Sequence, residues 1–154
     1  MKKGLKVENK LKELGIDLPE PPKPAGAYVG AKEAGGFVFV AGQGPGPGFK
    51  MGKVGKDLTL EEGYEAAKRA AINSLAQLKA VIGDLDRVEK VVQVVGYVNS
   101  DDGFLKQPAV MNGFTELLIK VFGEEVGRPA RAAIAVSVEG WLPVEAYMTV
   151  KLKD

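Results

Sequence analysis

The chain has 154 residues, 45% hydrophobic and 27% charged, enough for one globular domain with its own core and too little for a second. Its formal net charge is +1 with Lys and Arg scattered, so the basic stripe that marks a nucleic-acid binder is missing. With neither cysteine nor histidine, disulfides, thiolate metal sites, thiol nucleophiles and imidazole bases or triads are excluded, and any catalysis must use carboxylates, Tyr, Lys, Arg or positioned water.

The start, Met1-Lys2-Lys3-Gly4-Leu5-Lys6-Val7-Glu8, carries the charges of a secretory n-region without the apolar segment that should follow. No stretch approaches the ~18 apolar residues of a membrane span, so a soluble, cytoplasmic protein without a membrane partner is expected. Val7, Leu11 and Leu14, at i, i+4 and i+7 before Gly15, predict a short helix docked as an appendage. Pro19-Glu20-Pro21-Pro22-Lys23-Pro24 then imposes an extended spacer, since each proline fixes φ and lacks a donor. This divides the chain into an arm, residues 1–24, and a single domain, residues 25–154.

Residues 27–33 and 36–41 read as a hairpin turning at Ala34-Gly35-Gly36, with Tyr28 on its first strand. Gly42-Gln43-Gly44-Pro45-Gly46-Pro47-Gly48 invites a phosphate-loop reading. It lacks the Lys-Ser/Thr ending and its prolines forbid an immediate helix, so a surface loop with close backbone approach is expected. Thr59 and Glu62 form a capping box, and Tyr64, Ala67, Ala71, Leu75, Leu78 and Ile82 mark one face of a helix ended by Gly83. Val88 to Asn99 is β-branched on both faces, as a central strand should be. A second helix is predicted from Pro108 to Phe122, with Val110, Phe114, Leu117, Leu118 and Val121 inward.

Residues 128–152 read as two strands joined by a turn at Glu139-Gly140-Trp141. Alternation puts Ala132, Ile134, Val136 and Val138 on a core face and Arg131, Ala133, Ala135 and Ser137 on the other; on the second strand, Val144, Ala146, Met148, Val150 and Leu152 separate from Glu145, Tyr147, Thr149 and Lys151. Matching the apolar faces sets Val138 against Leu142, Ala135 against Glu145 and Arg131 against Thr149. Arg131 and Glu145 then share a face roughly 13 Å apart, at ~3.3 Å per residue, too far for a salt bridge within the hairpin unless a bulge intervenes; cooperation between them points to a neighbouring subunit. The order β-β-α-β-α-β-β is an α+β fold with both helices on one sheet face, and the uncovered apolar face predicts oligomerisation.

Several local sequences together are specific: G-A-Y-V at 26–29, V-A-G-Q at 40–43, G-D-L-D-R-V at 83–88, G-Y-V-N-S at 96–100, M-N-G at 111–113 and P-A-R-A-A-I-A-V at 129–136. Over residues 25–152 the chain resembles the RidA (YjgF-like) reactive intermediate deaminases. Its arm, with E-L-G-I-D-L-P-E-P-P, resembles a larger-sized branch of that family.

The resemblance implies a chorismate-mutase-like fold with one mixed sheet, a homotrimer with clefts between subunits, and hydrolysis of small imino acids such as 2-aminoacrylate to 2-oxo acids and ammonia. It makes Arg131 the clamp for the substrate carboxylate and Glu145 the group that positions water. Tyr28 and Asn112 would line the cleft, and Gly42 and Ala133 would contribute backbone; no metal and no cofactor is implied. Two positions depart from the pattern: Ala41 stands where serine often precedes Gly-Gln, and the stretch from Arg131 to Glu145 is one residue shorter.

Structural readings stand beside the functional ones. Arg131 or Glu145 could serve an ion pair at a subunit contact, Asn112 could bond locally, and Tyr28 could be an interface aromatic. The alternatives to the deaminase are a regulatory protein that binds small carboxylates without turnover and an RNA-directed endoribonuclease or translation inhibitor. The near-neutral charge and missing histidine argue against the RNA reading.

Overall fold

The structure is a computed structural model describing residues 5–154. Met1 to Gly4, with the lysines read above as n-region charges, lie outside the described residues. Helix α1 (Lys6–Glu13) buries Val7 and Leu11. Its first turn lacks a cap of its own. The Asp86 carboxylate takes that place, accepting from the backbone N–H of Lys6 at 2.9 Å and of Val7 at 2.8 Å. An ion pair of Glu8 with Lys79 at 2.8 Å also holds the arm to the body.

Strands β1 (Ala31–Ala34) and β2 (Phe37–Gln43) form the first hairpin. Gly35 and Gly36 make its turn with φ of 60° and 81°, values that favour glycine at both places. Tyr28, expected on the first strand, lies instead in the bend before it; Pro24, Gly26 and Gly30 around it favour bends over an extended run. Helix α2 (Leu60–Ile82) opens on the predicted capping box, Thr59 with Glu62, and ends at Gly83. After a 3₁₀ turn (Leu85–Arg87) come β3 (Val88–Asn99), α3 (Gln107–Phe122), the single turn α4 (Glu124–Gly127), β4 (Ala130–Val136) and β5 (Val144–Leu152).

The sheet order is β1-β2-β5-β3-β4, antiparallel throughout except for the parallel pair β3 and β4. This corrects the hairpin expected over 128–152: β4 and β5 do not pair, because β3 lies between them. Helix α3 carries the chain from the end of β3 back to its start, so β4 arrives parallel on β3's free edge, as a helical crossover requires. Residues 137–143 then pass the end of β3 to the other side. Fully buried Asn99 holds them, donating from Nδ2 to the Val138 carbonyl at 2.7 Å and accepting from the Val138 N–H at 2.8 Å. The pairings across β5 are Tyr97 with Glu145 and Gln93 with Thr149, and Arg131 lies beside Val94.

The faces of β4 are reversed from expectation. Val94 is fully buried beneath the helices, so Arg131 and Ala133 share the helix side, while Ala132 and Ile134 lie on the open side. The apolar stripe of β4 misled because it belongs to a sheet face that no helix covers. Phe39, Tyr97, Ile134 and Tyr147 share that face, with Phe39 51% exposed and the rings of Tyr97 and Tyr147 6.4 Å apart.

The core lies on the other side, where Val94, Val98, Ala146 and Met148 meet Leu75, Leu78, Phe114 and Leu118. Small residues bring the layers together. A β-carbon on Gly113 would lie 2.1 Å from the Tyr64 carbonyl oxygen, and one on Gly96 would lie 2.3 Å from the Met111 sulfur. No helix among the described residues is long and apolar enough to cross a membrane.

Candidate functional site

The first cluster starts from helical spacing. Pro108, Asn112 and Thr115 stand at i, i+4 and i+7 along α3 and therefore share one face. Arg131 faces them from edge strand β4. Its Nη1 donates to Asn112 Oδ1 at 2.8 Å and to Thr115 Oγ1 at 3.1 Å, and its Nη2 donates to the Pro108 carbonyl at 3.2 Å. Thr115 acts there as an acceptor because its hydroxyl donates to the Met111 carbonyl at 3.4 Å.

All three partners of Arg131 are neutral, and among the described residues no carboxylate forms an ion pair with it. Partial burial lowers the pKa of the guanidinium, and nearby Glu116 offsets part of that effect; arginine stays cationic regardless. Glu116 itself accepts a hydrogen bond from the Tyr64 hydroxyl, whose pKa is pushed up to about 12 by that bond. The Nε–H and the second Nη2 hydrogen of Arg131 are left uncommitted, the number that a carboxylate takes in a bidentate pair. Ala133 sits two residues along on the same face, half-buried against the core.

The second cluster gathers Tyr28, Gly42 and Glu145. Gly42 lies where the pairing of β2 with β5 slips between Val40 and Gln43. A β-carbon at this position would be 3.2 Å from the carboxylate carbon of Glu145, so the glycine leaves the space that the acid occupies. Glu145 is half-buried on the open face, and its carboxylate makes neither an ion pair nor a hydrogen bond with the described residues. Behind Gly42 a cavity of about 200 Å³ is lined by Tyr28, Gln43, Asn73, Gln77 and the connector residues 22–24. Tyr28 is 51% exposed, and its hydroxyl accepts from the Ala25 N–H at 3.0 Å.

The six residues singled out in the sequence thus form two groups rather than one. Arg131, Asn112 and Ala133 stand together, as do Tyr28, Gly42 and Glu145. The shared face expected for Arg131 and Glu145 is corrected. Tyr97 pairs with both Glu145 and Ile134, and Arg131 precedes Ile134 by three, an odd number, which places it on the opposite face. Sequence reasoning missed Thr115 and the Pro108 carbonyl, although their spacing from Asn112 was there to find. It also missed Asn73 and Gln77, polar residues buried among the apolar positions of α2.

Among the described residues, no three His, Cys, Asp or Glu side chains converge as a metal site. Residues 8–152 match the model of the family described as "YjgF/chorismate mutase-like, putative endoribonuclease". Protein TCP17 of Trypanosoma cruzi is 42% identical over 135 residues, 86% of this chain and 84% of that one.

Two solved structures are similar along nearly the whole length. Protein Atu1372 of Agrobacterium tumefaciens, of unknown function, is 36% identical with a TM-score of 0.85, over 97% of this chain and 93% of that one. A putative endoribonuclease of Shewanella oneidensis is 29% identical with a TM-score of 0.90, over 95% and 99%. Such coverage leaves unmatched fewer residues than the arm contains, so part of the arm is shared with both. On the family match and on the TCP17 and Atu1372 likenesses, this chain belongs to the YjgF/chorismate mutase-like family.

Proposed function

We propose that the chain is a hydrolytic deaminase of small imino acids, the 2-aminoacrylate type, with Arg131 as the anchor for the substrate carboxylate. The observation that carries this reading is a half-buried guanidinium braced by three neutral acceptors and, among the described residues, in no ion pair with a carboxylate. A purely structural arginine in such a place would ordinarily be paired with an acid. A fork of two N–H donors fits a carboxylate, and each charge-assisted bond contributes ~1.5–3 kcal/mol.

Anchoring the carboxylate fixes the adjacent C=N carbon. Water adds to that carbon, its proton passes to nitrogen, and the carbinolamine collapses to a 2-oxo acid and ammonia. Glu145 is the carboxylate assigned to hold the water. Since Glu145 and Arg131 lie on opposite faces of one sheet, the reading includes a homotrimer in which the uncovered face packs between copies. The group around Gly42 in one protomer then meets the group around Arg131 in the next. Phe39, Ile134 and Tyr147, exposed on that face, support such packing.

The separation of the two groups equally favours a second reading, a protein that holds small carboxylates without turning them over. An RNA-directed activity, which the endoribonuclease names of relatives suggest, finds no support in a +1 charge or a chain without histidine. The test is ammonia release from freshly generated 2-aminoacrylate, with size-exclusion and light scattering alongside. Wild type should exceed the buffer rate, and Arg131→Ala should lose that activity while keeping its oligomeric state. An Arg131→Ala variant as active as wild type refutes the anchor; saturable binding of 2-oxo acids with no rate above buffer replaces the deaminase by the binding protein.

A further inference from the structure

The cavity beside Gly42 is walled in part by the N-terminal arm. Pro22, Lys23 and Pro24 form that wall, with Tyr28 beside them. The wall is fixed in place. Gln77 of α2, 6% exposed, donates from Nε2 to the Pro22 carbonyl at 2.6 Å. Gly30 leaves room for this side chain, because a β-carbon there would lie 2.0 Å from Gln77 Oε1.

The lining has a definite chemical sense. Asn73 Nδ2 is committed to the Gly44 carbonyl at 2.9 Å and Gln43 Nε2 to the Ala41 carbonyl at 3.2 Å. The Tyr28 hydroxyl, already accepting from Ala25, keeps its proton for another partner. Lys23 is exposed and forms no ion pair among the described residues, and no acidic residue lines the cavity. A volume of about 200 Å³ is many times the ~10–15 Å³ that one water requires. An ammonium and a phenol proton at the wall of a cavity of that size suit an acceptor group carrying negative charge.

We propose that this cavity is the subsite for the substrate's side chain and that Lys23 sets its specificity, selecting imino and 2-oxo acids that carry a second, distal carboxylate. The inference rests on the anchor proposed above for the first carboxylate. The arm is then part of the binding machinery: the connector supplies the cation, and Gln77 is a positioning residue that holds the connector over the cavity.

Calorimetry on the full-length protein tests this with two five-carbon probes, 2-oxoglutarate and 2-oxopentanoate, which differ in the distal carboxylate. Wild type should bind the diacid about tenfold more tightly, a difference of ~1.4 kcal/mol. Lys23→Met should abolish the preference, so that the two acids bind alike, and Lys23→Arg should retain it. Gln77→Leu should weaken diacid binding selectively, whereas Arg131→Ala should weaken both acids alike. Equal affinities in wild type, or a preference that survives Lys23→Met, overturn the subsite. A diacid preference with no ammonia from any imine sinks the deaminase and leaves the subsite standing; binding of neither acid overturns subsite and anchor together.

Discussion

Replacing Gly113 by alanine tests whether the approach of α2 to α3 both supports the fold and sets the arginine site. The new β-carbon would lie 2.1 Å from the Tyr64 carbonyl oxygen, 2.9 Å from its carbonyl carbon and 3.2 Å from the Ala67 β-carbon. The obstacle is backbone, so no rotamer change relieves it, and the helices must part by roughly 1 Å to reach the ~3.3 Å of an ordinary C···O contact. Overpacking of this kind costs ~1–3 kcal/mol and more against rigid atoms, while alanine's helix propensity returns ~1 kcal/mol. With a net loss of ~2 kcal/mol and ~2–4 °C per kcal/mol for a domain this size, Tm should fall by ~4–8 °C. Circular dichroism melts measure it directly. Asn112 adjoins Gly113, so the same displacement should weaken 2-oxo acid binding. A variant that melts at or above the wild-type temperature would refute the close-approach argument.

Two further substitutions probe charge. Asn112→Asp puts a carboxylate where an amide oxygen now lies 2.8 Å from Arg131, so the guanidinium is neutralised from within; pyruvate binding by calorimetry should fall at least about tenfold, well beyond the effect of Asn112→Ala. Wild-type affinity in Asn112→Asp would remove Arg131 from the role of anchor. Glu62 is held below its usual pKa of 4.5, chiefly by the bond from the Thr59 backbone N–H, with Lys50 adding to it. A carboxylate whose pKa falls on folding stabilises fully above its unfolded value and loses that contribution as pH drops through the folded one. The stability gap between wild type and Glu62→Gln should therefore narrow in urea titrations from pH 7 to about pH 3, and a constant gap would contradict the capping-box electrostatics.

The elements that rest on local signals were legible in the sequence. The capping box at Thr59, the glycine stop at Gly83, the two-glycine turn at residues 35–36 and the inward stripe of α3 all encode themselves within a few residues. What pairs with β4 was not legible, because a short link between two strands reads as a hairpin unless something holds the link across a third. Here the amide of Asn99 does so, 39 residues from the backbone it binds. The same error carried into the site: once β4 was turned over, Arg131 and Glu145 appeared to share a face. Alternation alone distinguishes two faces without saying which one the helices cover. The pairing of Arg131 with Asn112 crosses from strand to helix and has no periodic signature. Thr115, by contrast, follows from helical arithmetic as soon as Asn112 is suspected.

Of the described strands, the last in chain order lies in the middle of the sheet. Because β5 separates β2 from β3, residues 31–43 and 88–136 share no strand pairing until residues 144–152 are available. A nascent chain lacking that segment therefore holds two incomplete half-sheets, each with an unpaired edge. A stop codon near position 143 would therefore separate the two parts of this sheet rather than trim one border.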